Sequence, residues 1–272
     1  MSWFEAIVLG VVQGLTEFLP ISSTGHLRIV PAFAGWDDPG ALFTAVIQLG
    51  TMLAVVIYFW HDLVRITGTW LRSFRRPELR GELDARLGWY IALATIPIGV
   101  FGLAFKDQIE TGARNLYLIG VVLIALGLIL LAAEAVGRKN RRLEDVTRGD
   151  AIWVGLAQAL ALVPGTSRSG ATITAGLFLG MERAAAARFS FLLSIPAVVL
   201  SGLYGLTELI SGSEDVSFGA LAIATVFAFI AGYASIALLL RYLVNHSTMI
   251  FVVYRVVLGI VVIALTASGT IS

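Results

Sequence analysis

Long runs of residues without a charge dominate this chain, and two of its apolar stretches are broken in the middle by polar residues. A helix needs roughly 20 mostly apolar residues to cross the hydrocarbon core of a bilayer. Five uncharged runs meet or approach that length: Ala41–Trp60, Trp89–Phe105, Leu116–Ala133, Phe189–Thr207 and Phe218–Leu240. A sixth, Ser247–Ala267, is interrupted only by Arg255. Composition points the same way. The 272 residues are 58% hydrophobic and 14% charged, against about 25% charged in a typical soluble domain. A soluble chain this apolar would expose large patches and aggregate. The net charge of +1 gives no electrostatic case for a nucleic-acid partner. There is no cysteine, which excludes disulfides, thiolate metal sites and cysteine nucleophiles. The opening MSWFEAIVLG has no basic n-region and no cleavage site, so it does not read as a signal peptide.

The two broken stretches run from Ala6 to about Ala34 and from Ala151 to about Gly180. Glu17-Phe-Leu-Pro-Ile-Ser-Ser-Thr-Gly-His26 interrupts the first, and Pro164-Gly-Thr-Ser-Arg-Ser-Gly170 the second. Each predicts a re-entrant hairpin, two half-helices joined at membrane depth. Irregular backbone survives there only inside protein or beside a wet cavity. Loop charges set the orientation. Arg65, Arg72, Arg75, Arg76, Arg80 and Arg86 lie in 61–88; Arg138, Lys139, Arg141, Arg142 and Arg148 lie in 134–150; Arg241 follows the fifth run. Segment 208–217 carries Glu208, Glu214 and Asp215 and no Lys or Arg. By the positive-inside rule the basic segments are cytoplasmic and the acidic one is outside.

The broken stretches also resemble each other. Ala6-Ile-Val-Leu-Gly-Val-Val-Gln13 aligns with Ala151-Ile-Trp-Val-Gly-Leu-Ala-Gln158 at an offset of 145, which also pairs Ser22 with Ser167 and Gly25 with Gly170. Phe43–Leu49 matches Phe189–Ile195 after a one-residue slip. The expected fold is therefore an all-α polytopic membrane protein, with six transmembrane helices plus two re-entrant helical hairpins in inverted-topology repeats. It reads as one integral membrane domain over 1–272. Repeat one covers about 1–133, a basic linker 134–150, and repeat two about 151–272. Such repeats place a site where the broken helices meet.

Polar groups at membrane depth are costly and usually functional. The first break offers Glu17, Ser22, Ser23, Thr24 and His26, and the second Thr166, Ser167, Arg168, Ser169 and Thr172. Gly25, Gly165 and Gly170 let backbone N–H groups approach a ligand. The N-terminus of each second half-helix favours an anion, and Arg168 adds a planar fork for phosphate oxygens. This is a phosphate-binding constellation. His26 is a candidate base or nucleophile, and Ser22 or Ser23 a nucleophile with His26 as base. Glu17 is a candidate ligand for a divalent cation; Gln13, one turn earlier, adds a carbonyl or a hydrogen bond. Gln48 and Ser194 sit at matching repeat positions and read as packing or supporting residues. Arg255 reads as internally paired or snorkelling.

Gly14-Leu-Thr-Glu-Phe-Leu-Pro-Ile-Ser-Ser-Thr-Gly-His26 and Pro164-Gly-Thr-Ser-Arg-Ser-Gly-Ala-Thr172 resemble the signatures of the bacterial undecaprenyl-diphosphate phosphatase family, the bacitracin-resistance proteins. The resemblance runs over essentially the whole chain. It implies a plasma-membrane hydrolase that converts undecaprenyl diphosphate to undecaprenyl phosphate and inorganic phosphate, for reuse in peptidoglycan synthesis. It also implies a divalent cation, Mg2+ or Ca2+, and a site open to the extracytoplasmic side. Bacitracin would compete indirectly, by binding the polyprenyl diphosphate. Carried over by motif position, the catalytic set is Glu17, Ser22, Ser23, His26 and Arg168. Thr24, Gly25, Ser167, Ser169, Gly170 and Thr172 bind substrate, and Glu17 with Gln13 holds the metal. The family's Glu/Gln-x-x-x-Glu element begins here with Gln13, which leaves one negative charge fewer. A second class of lipid phosphatase needs a histidine after the Ser-Arg pair; none follows Ser167-Arg168. The rival reading is a transporter of an anion or of the polyprenyl phosphate lipid, since inverted repeats with broken helices are a transporter architecture. Oligomeric state is left open, a homo-oligomer included. A tag on either terminus is expected to react with an impermeant reagent added outside intact cells; protection of either terminus would reverse the orientation.

Overall fold

A computed structural model describes residues 1–105, 115–210 and 218–271, the side chains at 41, 201 and 203–210 excepted. Glu214, Asp215 and the side chain of Glu208 lie outside that description. The described chain is helical, with no β-strand beyond an isolated Arg141–Met181 bridge. We number its α-helices α1 (Trp3–Phe18), α2 (Ser23–Ala34), α3 (Gly40–Tyr58), α4 (Trp60–Ser73), α5 (Leu83–Ala104), α6 (Leu116–Val136), α7 (Arg148–Ala159), α8 (Arg168–Phe178), α9 (Arg183–Ile210), α10 (Phe218–Asn245) and α11 (Met249–Ala267). By length and composition 5 of these can cross a membrane: α5, α6, α9, α10 and α11. The bent pair of α3 and α4 raises that to as many as 6. The six expected spans all appear as helices. The basic segment after α3 is more ordered than expected. It contains α4, which turns 76° away from α3, and a 3-10 turn at Pro77–Gly81.

The broken stretches form the helix pairs α1/α2 and α7/α8, the first break narrower than its polar run suggested and the second beginning earlier, at Leu160. Glu17 still belongs to the last turn of α1, and Ser23 to His26 form the first turn of α2. The second pair breaks between Ala159 and Arg168. Local chemistry repeats at the same offset of 145. Ser2 and Glu5 form a capping box that starts α1, and Thr147 and Asp150 form one that starts α7. Ser22 and Ser167 cap α2 and α8, each accepting a hydrogen bond from the glycine N–H three residues on. Both serines have positive φ, 77° and 69°, a strained state for a residue with a Cβ that costs on the order of 1–3 kcal/mol.

Tertiary packing exchanges elements between the halves. Helix α1 packs on α10 and α7 on α5, while α3 meets α9 and α6 meets α11. Each first half-helix thus leans on a long helix of the other half. Glycine sets that closeness. A Cβ at Gly10 would lie 2.3 Å from the Ala224 carbonyl oxygen, and one at Gly155 would lie 2.6 Å from the Ala94 backbone. At the basic ends, buried Glu134 of α6 accepts from the Arg183 side chain of α9, and from the Thr248 N–H at 3.2 Å and hydroxyl at 2.8 Å where α11 begins. Arg141 ties the linker to Asp150 at 2.6 Å. We expect Gly10→Ala and Gly155→Ala each to lower stability by about 1–3 kcal/mol through overpacking. Gly99→Ala, whose Cβ meets nothing within 4 Å, should not. Thermal unfolding in detergent compares them.

Candidate active site

Both breaks come together at the end of α1. The carboxylate of Glu17 is the hub, and it is buried. Its Oε2 accepts from the Gln13 amide at 3.1 Å and the Ser23 hydroxyl at 2.7 Å. Its Oε1 accepts from the Gln48 amide of α3 at 3.0 Å and pairs with Arg168 of α8 at 3.3 Å. Gln13 and Glu17 therefore share a helix face, as their spacing predicts. Gln48 touches the hub directly and is more than a packing residue. Arg168 uses only one nitrogen on Glu17. Its Nε and second terminal nitrogen are buried with no partner. A small cavity opens beside them, walled by Glu17, Arg168, Ser190, Ser194 and the rings of Phe18 and Phe191. Unpaired guanidinium N–H groups in an apolar site are costly, and each is a charged donor left free for an oxyanion.

The structure separates the serines by role. Ser22 is fully buried, with its Oγ engaged as the α2 cap and 3.3 Å from the Thr24 hydroxyl. Ser167 caps α8 in the same way and lies 3.1 Å from the Ser169 hydroxyl. Ser169 donates to the Leu19 carbonyl at 3.0 Å, which ties the second break to the first. Thr172 donates to the Arg168 carbonyl and meets Ser190 of α9 at 2.5 Å. Ser23 is the hydroxyl aimed at the carboxylate. His26 makes no hydrogen bond to either Ser22 Oγ or Ser23 Oγ. Its Nδ1 lies 2.7 Å from the Ser22 carbonyl and its Nε2 2.7 Å from the Tyr254 hydroxyl of α11.

Arg255, next to Tyr254, is 1% exposed. Among the described residues it faces carbonyls rather than a carboxylate. It donates to Pro20 at 3.1 Å in the first break, and to Gly165 at 3.1 Å and Thr166 at 3.0 Å in the second. A fourth bond reaches Leu123 of α6 at 3.3 Å. Gly165, at φ 86°, brings the second break against α6, where a Cβ would come within 2.9 Å of the Ile119 carbonyl oxygen. Sequence reasoning left the role of Arg255 open and passed over Tyr254. A Tyr-Arg pair in an otherwise apolar span was the available signal.

The result is a polytopic membrane protein with a polar site where two broken helices meet, one carboxylate and one partly free guanidinium facing a cavity. The chain belongs to the family described as bacitracin resistance protein BacA, whose profile matches residues 6–261. It is 54% identical to the undecaprenyl-diphosphatase of Mycolicibacterium smegmatis, over 100% of this chain and 99% of that one. It is 53% identical to the undecaprenyl-diphosphatase of Chlorobaculum parvum, over 99% of each chain. The corresponding protein of Thermobifida fusca is 52% identical, over 100% of this chain and 93% of its own.

Replacing Arg255 would strand three break carbonyls. Each buried unpaired acceptor costs about 1–3 kcal/mol. Arg255→Met should therefore lower unfolding stability by about 3–9 kcal/mol. Arg255→Lys should recover only part of that, because an ammonium cannot span the same acceptors. Denaturant titration in detergent measures both, and a stable Arg255→Met protein would remove the clamp from this account.

Proposed function

We propose that the protein hydrolyses undecaprenyl diphosphate to undecaprenyl phosphate and inorganic phosphate, returning the carrier lipid to peptidoglycan synthesis. The observation that carries this reading is the pair of unpartnered N–H groups of Arg168, held against a cavity by Glu17. Phosphoryl transfer needs a nucleophile, a proton acceptor and fixed charge where charge develops. All three are within this cluster. The diphosphate would enter the cavity, and the polyprenyl tail would lie between helices in lipid.

Ser23 is the serine we assign as nucleophile. Its hydroxyl proton already points at Glu17, whereas the Ser22 hydroxyl is engaged in the α2 cap. Attack by Ser23 on the terminal phosphorus would release the lipid phosphate, and water would then cleave the phosphoserine. Glu17 would take the Ser23 proton, and His26, which bonds neither serine hydroxyl, would serve the later transfer from water. Trapping the phosphorylated residue tests this assignment; recovery of phosphohistidine would overturn it.

The donor set also fits a divalent cation. Gln13 Oε1 is buried without a partner beside the Glu17 carboxylate. Among the described residues no cluster of three acidic, His or Cys side chains is present. A few oxygen ligands with little charge, the other positions left to water and substrate, are the pattern of magnesium sites rather than closed protein cages. Glu17 and Gln13 would hold the ion, which when bound would neutralise diphosphate charge. Mg2+ and Ca2+ both suit these ligands. The same reading puts the protein in the plasma membrane, its cavity open to the extracytoplasmic side, with bacitracin acting by sequestering the substrate.

The exchanged packing of half-helices supports a second reading, transport of an anion or of the lipid phosphate. Phosphate release from a polyprenyl diphosphate by detergent-purified protein decides between them. We expect release that requires a divalent cation, lowered by about 10²–10⁴ in kcat/KM in Glu17→Ala, His26→Ala and Arg168→Ala. Absence of release by folded wild-type protein would favour the transporter.

A further inference from the structure

The imidazole of His26 is held at both ends. Its Nδ1 faces the Ser22 carbonyl at 2.7 Å, and a carbonyl oxygen only accepts, so Nδ1 carries the proton. The neutral ring then presents a lone pair at Nε2, which lies 2.7 Å from the Tyr254 hydroxyl. The two rings are nearly parallel, at 9°, with centroids 5.6 Å apart. His26 is buried, whereas Tyr254 is 43% exposed. The phenol therefore forms the outer cover of the imidazole.

We propose that Tyr254 is a positioning residue for His26, holding ring plane and tautomer in the resting site and yielding Nε2 to the reaction when its hydroxyl swings aside. This role rests on the phosphatase reading. With only the Nδ1 bond, the ring can swing about that one contact and Nε2 is not aimed. With both bonds, ring plane and tautomer are set before substrate arrives. A hydroxyl suits this task because it both donates and accepts. It donates to Nε2 when the ring is neutral. For Nε2 to take a proton from a reacting group the hydroxyl first swings off its lone pair; it then returns and accepts from the new N–H, so the tyrosine keeps its own proton throughout. A carboxylate in its place would favour the charged ring, and an amide would have to flip.

Position in the fold strengthens the argument. Tyr254 is followed by Arg255, which binds the carbonyls of both breaks. One turn of α11 thus sets the path of the two broken segments and the direction of the one imidazole between them. Arg255 is the charged group on α11 nearest that ring, and it is committed to carbonyls.

Tyr254→Phe keeps the ring and removes the hydroxyl. In detergent-purified enzyme we expect kcat to fall about 10–100-fold with KM within about threefold, as for loss of orientation rather than of binding. Placing 3-fluorotyrosine or 3,5-difluorotyrosine at position 254 keeps the shape and changes donor strength, and kcat should change in graded fashion. Histidine 15N spectra supply a readout independent of activity. The His26 signals, identified by their loss in His26→Ala, should keep a protonated Nδ1 in Tyr254→Phe while Nε2 shifts. A kcat within twofold of wild type, or a fall with a flat fluorine series and an unmoved Nε2 signal, would overturn the proposal. If wild-type protein releases no phosphate, the phosphatase reading fails first; an unmoved Nε2 signal then overturns the two-point hold as well.

Discussion

One buried guanidinium holds the two halves of this site together. A break in a helix leaves carbonyls without intrahelical partners, and at membrane depth no bulk water replaces them. Pro20, Gly165 and Thr166 are such carbonyls, from two different breaks, and all converge on Arg255. The exchange works in both directions. The breaks supply oxygen to a cation that is otherwise expensive to bury, and the cation satisfies backbone that is otherwise expensive to break. Neither break can reach this state alone, because the acceptors come from residues more than 140 positions apart in the chain. The polar site is therefore a product of tertiary assembly rather than of either hairpin.

Around that clamp the repeat keeps its scaffold and divides its chemistry. Capping boxes, crossing glycines and strained cap serines recur at the offset of 145. The reactive positions do not. The same offset sets Glu17 against Leu162, Ser23 against Arg168 and His26 against Ala171. One half carries carboxylate, hydroxyl and imidazole, and the other carries the guanidinium. Charge explains the division. Two copies of Glu17 would repel at close range, and two copies of Arg168 would leave no group to hold either one in place. Split between halves, the opposite charges attract across the interface and point both breaks at one cavity. Gln158 shows what symmetry leaves behind. It occupies the position of Gln13 but has no carboxylate one turn on, and its amide is buried without a partner.

Much of this was legible in the chain because membrane insertion writes itself in runs of uncharged residues. The long apolar helices, the two broken segments and the pairing of Gln13 with Glu17 follow from period and length alone. The limits of reading were equally physical. Polar runs around the breaks looked like loops, yet Glu17 and His26 are helical, since a half-helix at this depth retains every backbone bond it can. Segment 61–88 read as a basic loop because its charges dominate. Helix α4 inside it places Ile66 and Thr69 in the protein while Trp60, Val64 and Leu71 stay exposed. Gln48 and Tyr254 were undervalued because each sits in a largely apolar helix, and only the fold reveals what stands opposite.

The atoms left unsatisfied are the most informative part of the site. Buried polar groups in native proteins nearly always have partners, and among the described residues three of the six unpartnered side-chain atoms belong to Gln13 and Arg168. Arg168 keeps two nitrogens free, and Gln13 keeps its carbonyl oxygen free, on either side of the same carboxylate. One is a donor pair suited to phosphate oxygen and the other an acceptor suited to a cation. A site built only for stability would close such groups on each other. Glu17 holds them apart instead, bonding the amide of one and a single nitrogen of the other. The free valences that remain would suit the ligand proposed above, phosphate oxygen on one side and its counterion on the other. On this view the cost of leaving them unpaired in the resting protein is recovered when that ligand enters.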